Sequence, residues 1–274
     1  MDKFLRRALE EDFGPGDITT EACVPLHTPA RGRFIAKAPG VICGVEILSR
    51  VFALLDPAAQ VTQRVSDGDR VEAGAVIAEI HGPARSILSG ERLALNLLCH
   101  LSGIATQTAE AVAQVAGTGA KICDTRKTTP GLRVLEKYAV RTGGGVNHRF
   151  GLFDGVLIKD NHIVAAGGIS PAVEAARRLC PHTIKIEVET ESLKQVEEAL
   201  IAGADIIMLD NMDLSTMGEA VSLINGRCLT EASGNMGDKD LKAVAETGVD
   251  FISIGALTHT VRILDISLKL QCEE

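Results

Sequence analysis

The sequence of 274 residues predicts an α/β fold in two parts, and three observations predict it. From about residue 119, short apolar runs alternate with amphipathic helical segments. Each of those runs ends in a charged residue, a hydroxyl or a glycine. Residues 1 to about 104 have a different rhythm, with strands of alternating polarity broken by Pro-Gly, Asp-Gly and single glycines.

The first part opens with MDKFLRRALEEDFG, which reads as a short amphipathic helix with Leu5, Ala8 and Leu9 on its apolar face. The segments ARGRFIAKAPGVICGVEIL and AQVTQRVSDGDRVEAGAVIAEIHG follow as strands, interrupted at Pro39-Gly40, Asp67-Gly68 and Gly74. SGERLALNLLCHLSGIATQTAEAVAQVAG then predicts a buried helix through Leu93, Leu95, Leu98 and Leu101. This is a small α+β domain whose helices lead into the next one. The second part supplies six strands: AKICDT, GVLIKD, TIKIEVE, ADIIMLD, RCLTEAS and DFISIGA. Ser170-Pro171 starts one intervening helix, and Gly203 and Gly248 end two others. Continuous apolar strands between helices require a parallel sheet with both faces covered. A barrel and an open doubly wound sheet both satisfy this.

Composition narrows the function. Hydrophobic residues at 46% and charged residues at 23% are a globular balance. The net charge is −8, with no Trp and one Tyr, which argues against a nucleic-acid partner that would need stacking rings and a basic surface. No apolar run approaches the ~18 residues of a membrane span, and the charged N-terminus does not read as a signal peptide. The expected location is the cytoplasm. Cys23, Cys43, Cys99, Cys123, Cys180, Cys228 and Cys272 are scattered singly and are expected to be buried reduced thiols.

Against that acidic background, residues 121–162 hold eight Lys/Arg and four Asp/Glu, a local balance of +4. Arg126, Lys127 and Lys159 sit at strand ends, and in parallel β/α folds all such ends lie on one face. With His148 and Arg149 they suit a small ligand of several negative charges, bound by guanidinium forks and ammonium points. Arg133 and Lys137, four apart, read as an exposed helix face. Gly143-Gly144-Gly145 lacks dinucleotide-fingerprint spacing and predicts a flexible or positive-φ loop, placed before Asn147-His148-Arg149 where it could lie over the site. Glu187 and Glu189 share one face of their strand, and Glu189 with Asp210 could hold a hydrated Mg²⁺ or accept hydrogen bonds from sugar hydroxyls. Ser233, Gly234, Gly255 and His259 fall at turns after the last two strands, where backbone N–H groups suit a phosphate ester. No nucleophile motif is present, and Cys99-His100 reads as core.

These residues carry a resemblance to a known family. EDFGPGDITT, SGERLALNLLCHLSGIAT, the block from DTRKTTPGLRVLEKYAVRTGGGVNHRF to LIKDNH, KIEVE, IIMLDN, EASGN and TGVDFISIGALTH are similar to the quinolinate phosphoribosyltransferases, the carboxylating nicotinate-nucleotide pyrophosphorylases or type II phosphoribosyltransferases. The resemblance implies an N-terminal α/β sandwich domain, residues 1–104, and an incomplete, open α/β barrel, residues 105–274, in a homodimer or hexamer. It implies phosphoribosyl transfer from phosphoribosyl pyrophosphate (PRPP) to quinolinate with decarboxylation, giving nicotinate mononucleotide, pyrophosphate and CO₂ for de novo NAD biosynthesis. Quinolinate would contact Arg126, His148, Arg149 and Lys159, with Arg92 supplied by the neighbouring subunit. Lys127, Glu189, Asp210, Ser233, Gly234, Gly255 and His259 would bind PRPP with Mg²⁺, and Lys127, Lys159, Glu189 and Asp210 would carry the catalysis. Two rivals are a barrel isomerase or lyase acting on another sugar phosphate, and a paralogue of altered specificity such as the molybdenum-transport-associated relatives.

Overall fold

The computed structural model describes residues 1–272, with the side chain of Cys272 outside that description. The chain divides into two compact units, residues 1–107 with 261–274, and residues 108–260.

The first unit begins with α1 (Asp2–Phe13), which buries Leu5 and Leu9, and α2 (Ile18–Cys23), capped by the Asp17 carboxylate on the N–H of Thr20. Then come β1 (Pro29–Ala36), β2 (Gly40–Val41), α3 (Val45–Leu55), β3 (Gln60–Gln63), β4 (Arg70–Val71) and β5 (Val76–Pro83). Along β1, Arg31 and Arg33 are exposed while Ala30, Gly32, Phe34 and Ala36 are buried, the alternation of a sheet with one face in the core. Phe34 meets Phe52 of α3 with ring centroids 6.1 Å apart, so a helix layer covers that face.

The long helix α4 (Ala84–Gln114) starts in the first unit and ends in the second. Of its predicted core leucines, Leu95, Leu98 and Leu101 are buried and Leu93 is half-buried. The second unit continues with β6 (Lys121–Cys123), α5 (Arg133–Thr142), β7 (Val156–Ile158), α6 (Asp160–Ala166), α7 (Ile169–Leu179), β8 (Ile186–Thr190), α8 (Leu193–Ile201), β9 (Ile206–Asp210), α9 (Leu214–Ile224), β10 (Leu229–Ser233), α10 (Leu241–Glu246), β11 (Phe251–Ser253) and α11 (Ala256–His259). The last strand, β12 (Ile266–Cys272), pairs antiparallel with β1 and completes a sheet of order β12-β1-β5-β3. The predicted start of the second domain at residue 105 lies close to the division at 107/108, while residues 261–274, predicted to belong to that domain, fall with the first unit. The boundary lies inside a continuous helix, and the C-terminal strand belongs to the first unit because its alternating apolar residues complete that sheet. The predicted end at 274 lies outside the described residues.

The six predicted β/α strands all form, in the order β6-β11-β10-β9-β8-β7, and every pairing is parallel. This is the chain order closed on itself, with the last strand returning beside the first and one joint, β6 to β7, left unpaired. The order excludes a doubly wound sheet and defines an open α/β barrel. At the open joint, Val146 makes one isolated parallel bridge to Cys123. Gly203 and Gly248 follow the ends of α8 and α10 as predicted, at φ 81° and 92°, and the Ser192, Asp213 and Asp240 side chains accept from the first turns of α8, α9 and α10.

Two expectations fail here. Among the cysteines, Cys43, Cys99 and Cys123 are buried, but Cys23 is exposed and Cys180 and Cys228 are intermediate. The three glycines do not form a loop over the site: their N–H groups bond back to the Ala139, Arg141 and Val140 carbonyls and stop α5. The positive-φ part of the expectation holds at Gly144, with φ +91°, and a Cβ on Gly145 would lie 2.9 Å from both Thr108 and Val140, so the run ends a helix and then admits a close approach. Among the described residues, no helix is long and apolar enough to cross a membrane.

Candidate active site

Strand register decides which side chains meet. Glu189 on β8, Met208 on β9 and Glu231 on β10 are register partners, and Asp210 and Ser233 are the next inward pair. The alternate positions Val188, Ile207, Leu209, Ala232 and Ile252 are buried apolar residues. Period-two alternation in a barrel therefore sends Glu187, Glu189, Glu231 and Ser253 to one interior, while Thr190 and Thr230 at the alternate positions bond the Met208 carbonyl and Asp250.

A cavity of about 780 Å³ opens there. It is lined by Arg126, Lys127, His148, Arg149, Lys159, Glu189, Asp210, Ser233, Gly234, Gly255 and His259, which are all the predicted site residues except Arg92. Arg92 lies exposed on α4 in the first unit. His162 is not among the lining residues; its Nδ1 accepts the N–H of Lys159 at 3.0 Å and caps α6.

Several contacts fix this lining. Lys159 Nζ is ion-paired with Glu189 Oε2. Asp210 Oδ2 accepts Asn211 Nδ2 at 2.8 Å, and Asn211 sits in the left-handed region at φ 54°. A Cβ on Gly234 would come within 2.2 Å of Asn211 Oδ1 and 2.8 Å of its backbone nitrogen, so glycine is required for Asn211 to hold that pose. A Cβ on Gly255 would lie 3.1 Å from both His259 and Lys127 Cδ, which places that cation and that imidazole over one turn. Thr258 Oγ1 donates to the Lys127 carbonyl at 2.8 Å and ties the same turn to β6.

Beneath the mouth lies a second polar layer that sequence reading largely missed. Lys137, predicted to be exposed, is 3% exposed; its ammonium pairs with Asp124, itself 0% exposed, and donates to the His148 carbonyl at 3.0 Å. Asp124 also accepts the Asn147 side chain and, at 2.9 Å, the His148 N–H. Arg133 was predicted to be exposed too. It is half-buried and donates to Thr128 Oγ1 at 2.8 Å and to the Phe150 carbonyl at 3.1 Å. The segment after the glycines is thus pinned by its side chains and its backbone. The spacing of Lys137 from Arg133 suggested a solvated face, but the buried Asp124 at the end of β6 draws the lysine inward. Burial raises the Asp124 pKa above its ordinary value, although Lys137 opposes that shift.

Glu231 and Ser253 were also missed. Glu231 is 3% exposed, accepts Ser253 Oγ, and lies 3.6 Å from His148 Nε2. The signal was available in LTEAS, where Glu231 and Ser233 share one strand face. Burial first, and the nearby Glu187 charge second, push Glu231 up to about 7. His148 Nε2 is 3.0 Å from Glu187 Oε2, while Nδ1 accepts the Arg149 N–H at 2.8 Å. Burial works against the imidazolium, but the Glu187 hydrogen bond and the two carboxylate charges outweigh it and raise the His148 pKa. The backbone N–H aimed at Nδ1 nevertheless requires that nitrogen to be unprotonated. We therefore place a single ring proton on Nε2, facing Glu187.

Arg149 shows what the mouth is suited to bind. Burial and then the neighbouring Arg126 charge pull its pKa below the ordinary value. Its Nη1 donates to the Gly155 carbonyl at 2.9 Å, but its buried Nε has no partner among the described residues. Two guanidinium groups held together with one N–H unmatched suit an anionic ligand with planar oxygens.

Comparison with known proteins agrees with this geometry. Residues 17–102 match the N-terminal domain of quinolinate phosphoribosyl transferase, and residues 104–269 match its C-terminal domain. The nicotinate-nucleotide pyrophosphorylase [carboxylating] of Mycobacterium leprae is 47% identical over 274 residues, covering 97% of this chain and 95% of that one. Among solved structures, NadC from Streptococcus pyogenes superposes with a TM-score of 0.93 at 44% identity, covering 100% of this chain and 97% of that one. The nicotinate-nucleotide pyrophosphorylase of Ehrlichia chaffeensis gives 0.95 at 38% identity, covering 99% and 98%. With both family domains matched in order along the chain and its site cations and carboxylates gathered in one barrel cavity, this chain belongs to the quinolinate phosphoribosyltransferase family.

Proposed function

We propose that this chain transfers the phosphoribosyl group of PRPP to the ring nitrogen of quinolinate with loss of pyrophosphate, and that the adjacent carboxylate then leaves as CO₂, its electron pair staying on the ring carbon and taking up a proton from solvent to give nicotinate mononucleotide. The observation that carries the reading is the shared cavity of Arg126, Arg149, Lys159, Glu189 and Asp210, in which the buried Arg149 Nε has no partner among the described residues. Arg126, His148, Arg149 and Lys159 form the end for a dicarboxylate. Lys127, Glu189, Asp210, Ser233, Gly234, Gly255 and His259 form the end for the phosphoribosyl donor.

The pyridine nitrogen is itself the nucleophile, so the chain needs to supply none. The transition state carries positive charge on the sugar, where Glu189 and Asp210 stabilise it, and negative charge on the departing pyrophosphate, which Lys127 steadies. Lys159 and Glu189 exchange their mutual pairing for contacts with the two substrates. Glu189 and Asp210 fit a hydrated Mg²⁺: both offer hard oxygens to the same cavity, and each has one carboxylate oxygen outside the described hydrogen bonds. Mg²⁺ supplies charge neutralisation for the pyrophosphate.

Arg92, which is not among the residues lining the cavity, enters the site from a second subunit, as the family resemblance implies. A homodimer or larger assembly in the cytoplasm completes the reading. The assay combines purified protein with quinolinate, PRPP and Mg²⁺ and follows pyrophosphate and CO₂, with nicotinate as control acceptor. Release of both products is expected with quinolinate plus PRPP and not with nicotinate plus PRPP; no release with quinolinate plus PRPP, or release without PRPP, would overturn the assignment. Mixed dimers of inactive Arg92→Ala and Lys127→Ala chains are expected to regain activity. Silence from a verified mixed dimer removes Arg92 from the site.

A further inference from the structure

The barrel interior holds two carboxylates, Glu187 and Glu231, at 4% and 3% exposure, directly beneath the proposed dicarboxylate end. Buried acids are costly, and persist where their lone pairs are matched. Here the matching is partial: Glu187 Oε1 has no partner among the described residues, and the contacts that Glu187 Oε2 and Glu231 Oε1 do make converge on one ring. His148 Nε2 is 3.0 Å from Glu187 Oε2 and 3.6 Å from Glu231 Oε1, and Ser253 Oγ donates to Glu231. The other ring nitrogen accepts the Arg149 N–H at 2.8 Å.

Three such groups with ligand atoms within 4.8 Å of one another could be taken for a metal site. The hydrogen bonds argue otherwise: a metal on Nε2 requires the proton on Nδ1, where a backbone N–H already donates. With its Nε2–H given to Glu187, the ring has no further N–H to offer a substrate. Its consequence falls on Arg149, whose main chain it grips and whose guanidinium, among the described residues, is held at Nη1 by the Gly155 carbonyl.

We propose that Glu187 is a positioning residue for the acceptor acid, with Glu231 and Ser253 supporting it: Glu187 fixes the His148 ring, and the ring fixes the Arg149 backbone and so the aim of its guanidinium. His148 then acts through Arg149 rather than by donating to the substrate. The inference rests on the proposed assignment of quinolinate to this end of the cavity.

The test uses the full-length protein and steady-state kinetics for each substrate. Glu187→Ala is expected to raise the KM for quinolinate roughly tenfold while the KM for PRPP stays within about twofold, the scale of one lost buried hydrogen bond. Glu187→Gln keeps an acceptor for Nε2–H and is expected to restore most of that loss. In a His148→Ala background, Glu187→Ala is expected to add nothing further to the quinolinate KM. An unchanged quinolinate KM, equal rises in both KM values, a Gln variant no better than Ala, or full additivity with His148→Ala would each overturn the proposal. If Glu187→Ala does not fold, Glu187→Asp keeps the charge but shortens its reach, and a smaller rise confined to quinolinate is then expected; none would overturn it. Wild-type protein inactive with quinolinate and PRPP sinks the functional reading itself, whereas active wild type with indifferent variants sinks only this inference.

Discussion

Two strands of similar alternation have opposite fates. On β1, Arg31 and Arg33 alternate with buried residues and stand exposed on an antiparallel sheet. On β8, Glu187 and Glu189 alternate in the same way, yet one is buried and the other half-buried in the barrel. The difference lies in the architecture around them. An antiparallel sheet covered on one side gives its polar positions to water, whereas a helix-wrapped parallel barrel has only its interior left for them. Alternation of charge on a β/α strand therefore signals a site, while on an antiparallel strand it signals a surface.

That contrast can be broken by substitution, beginning with the barrel mouth. Lys159→Ala should lower kcat by about 10²–10³-fold with the fold intact, because it removes a preorganised charge. Circular dichroism and turnover measured together check this, and near-normal turnover would detach Lys159 from the chemistry. Gly234→Ala should destabilise the protein by about 1–3 kcal/mol. The added methyl would meet Asn211 at 2.2 Å and the residue would be strained at φ +92°; a thermal melt unchanged from wild type contradicts it. At the other extreme, Arg33→Ala on the exposed sheet face should shift stability by no more than about 0.5 kcal/mol and leave both KM values alone. A large effect there would erase the distinction between the two strands.

A pH experiment sharpens the comparison inside the barrel. Glu231 is raised from 4.5 to about 7 by burial, so between those values the folded protein binds more protons than the unfolded chain. Its contribution to stability is fully present below the unfolded value and is lost as pH rises through about 7. Wild-type melting temperature should fall across that window, and Glu231→Gln, which carries no titrating carboxyl, should flatten the slope. An identical slope in both proteins would mean that Glu231 stays ionised throughout.

The sequence alone determined the β/α repetition, the six strands of the second unit and the placement of anions and cations at strand ends. These follow from periodicity and from the common polarity of parallel strand ends, which are local properties. It did not reveal that Lys137 turns inward, since helix spacing cannot show that a buried Asp124 waits beside it. Nor did it reveal that the glycine run stops a helix, that β12 returns to the first sheet, or that Glu231 and Ser253 join His148 and Glu187. Closure of the strand order into an open barrel, and the side on which each buried charge finds its partner, were decided by tertiary structure. Both depend on contacts between residues distant along the chain, which no local pattern records.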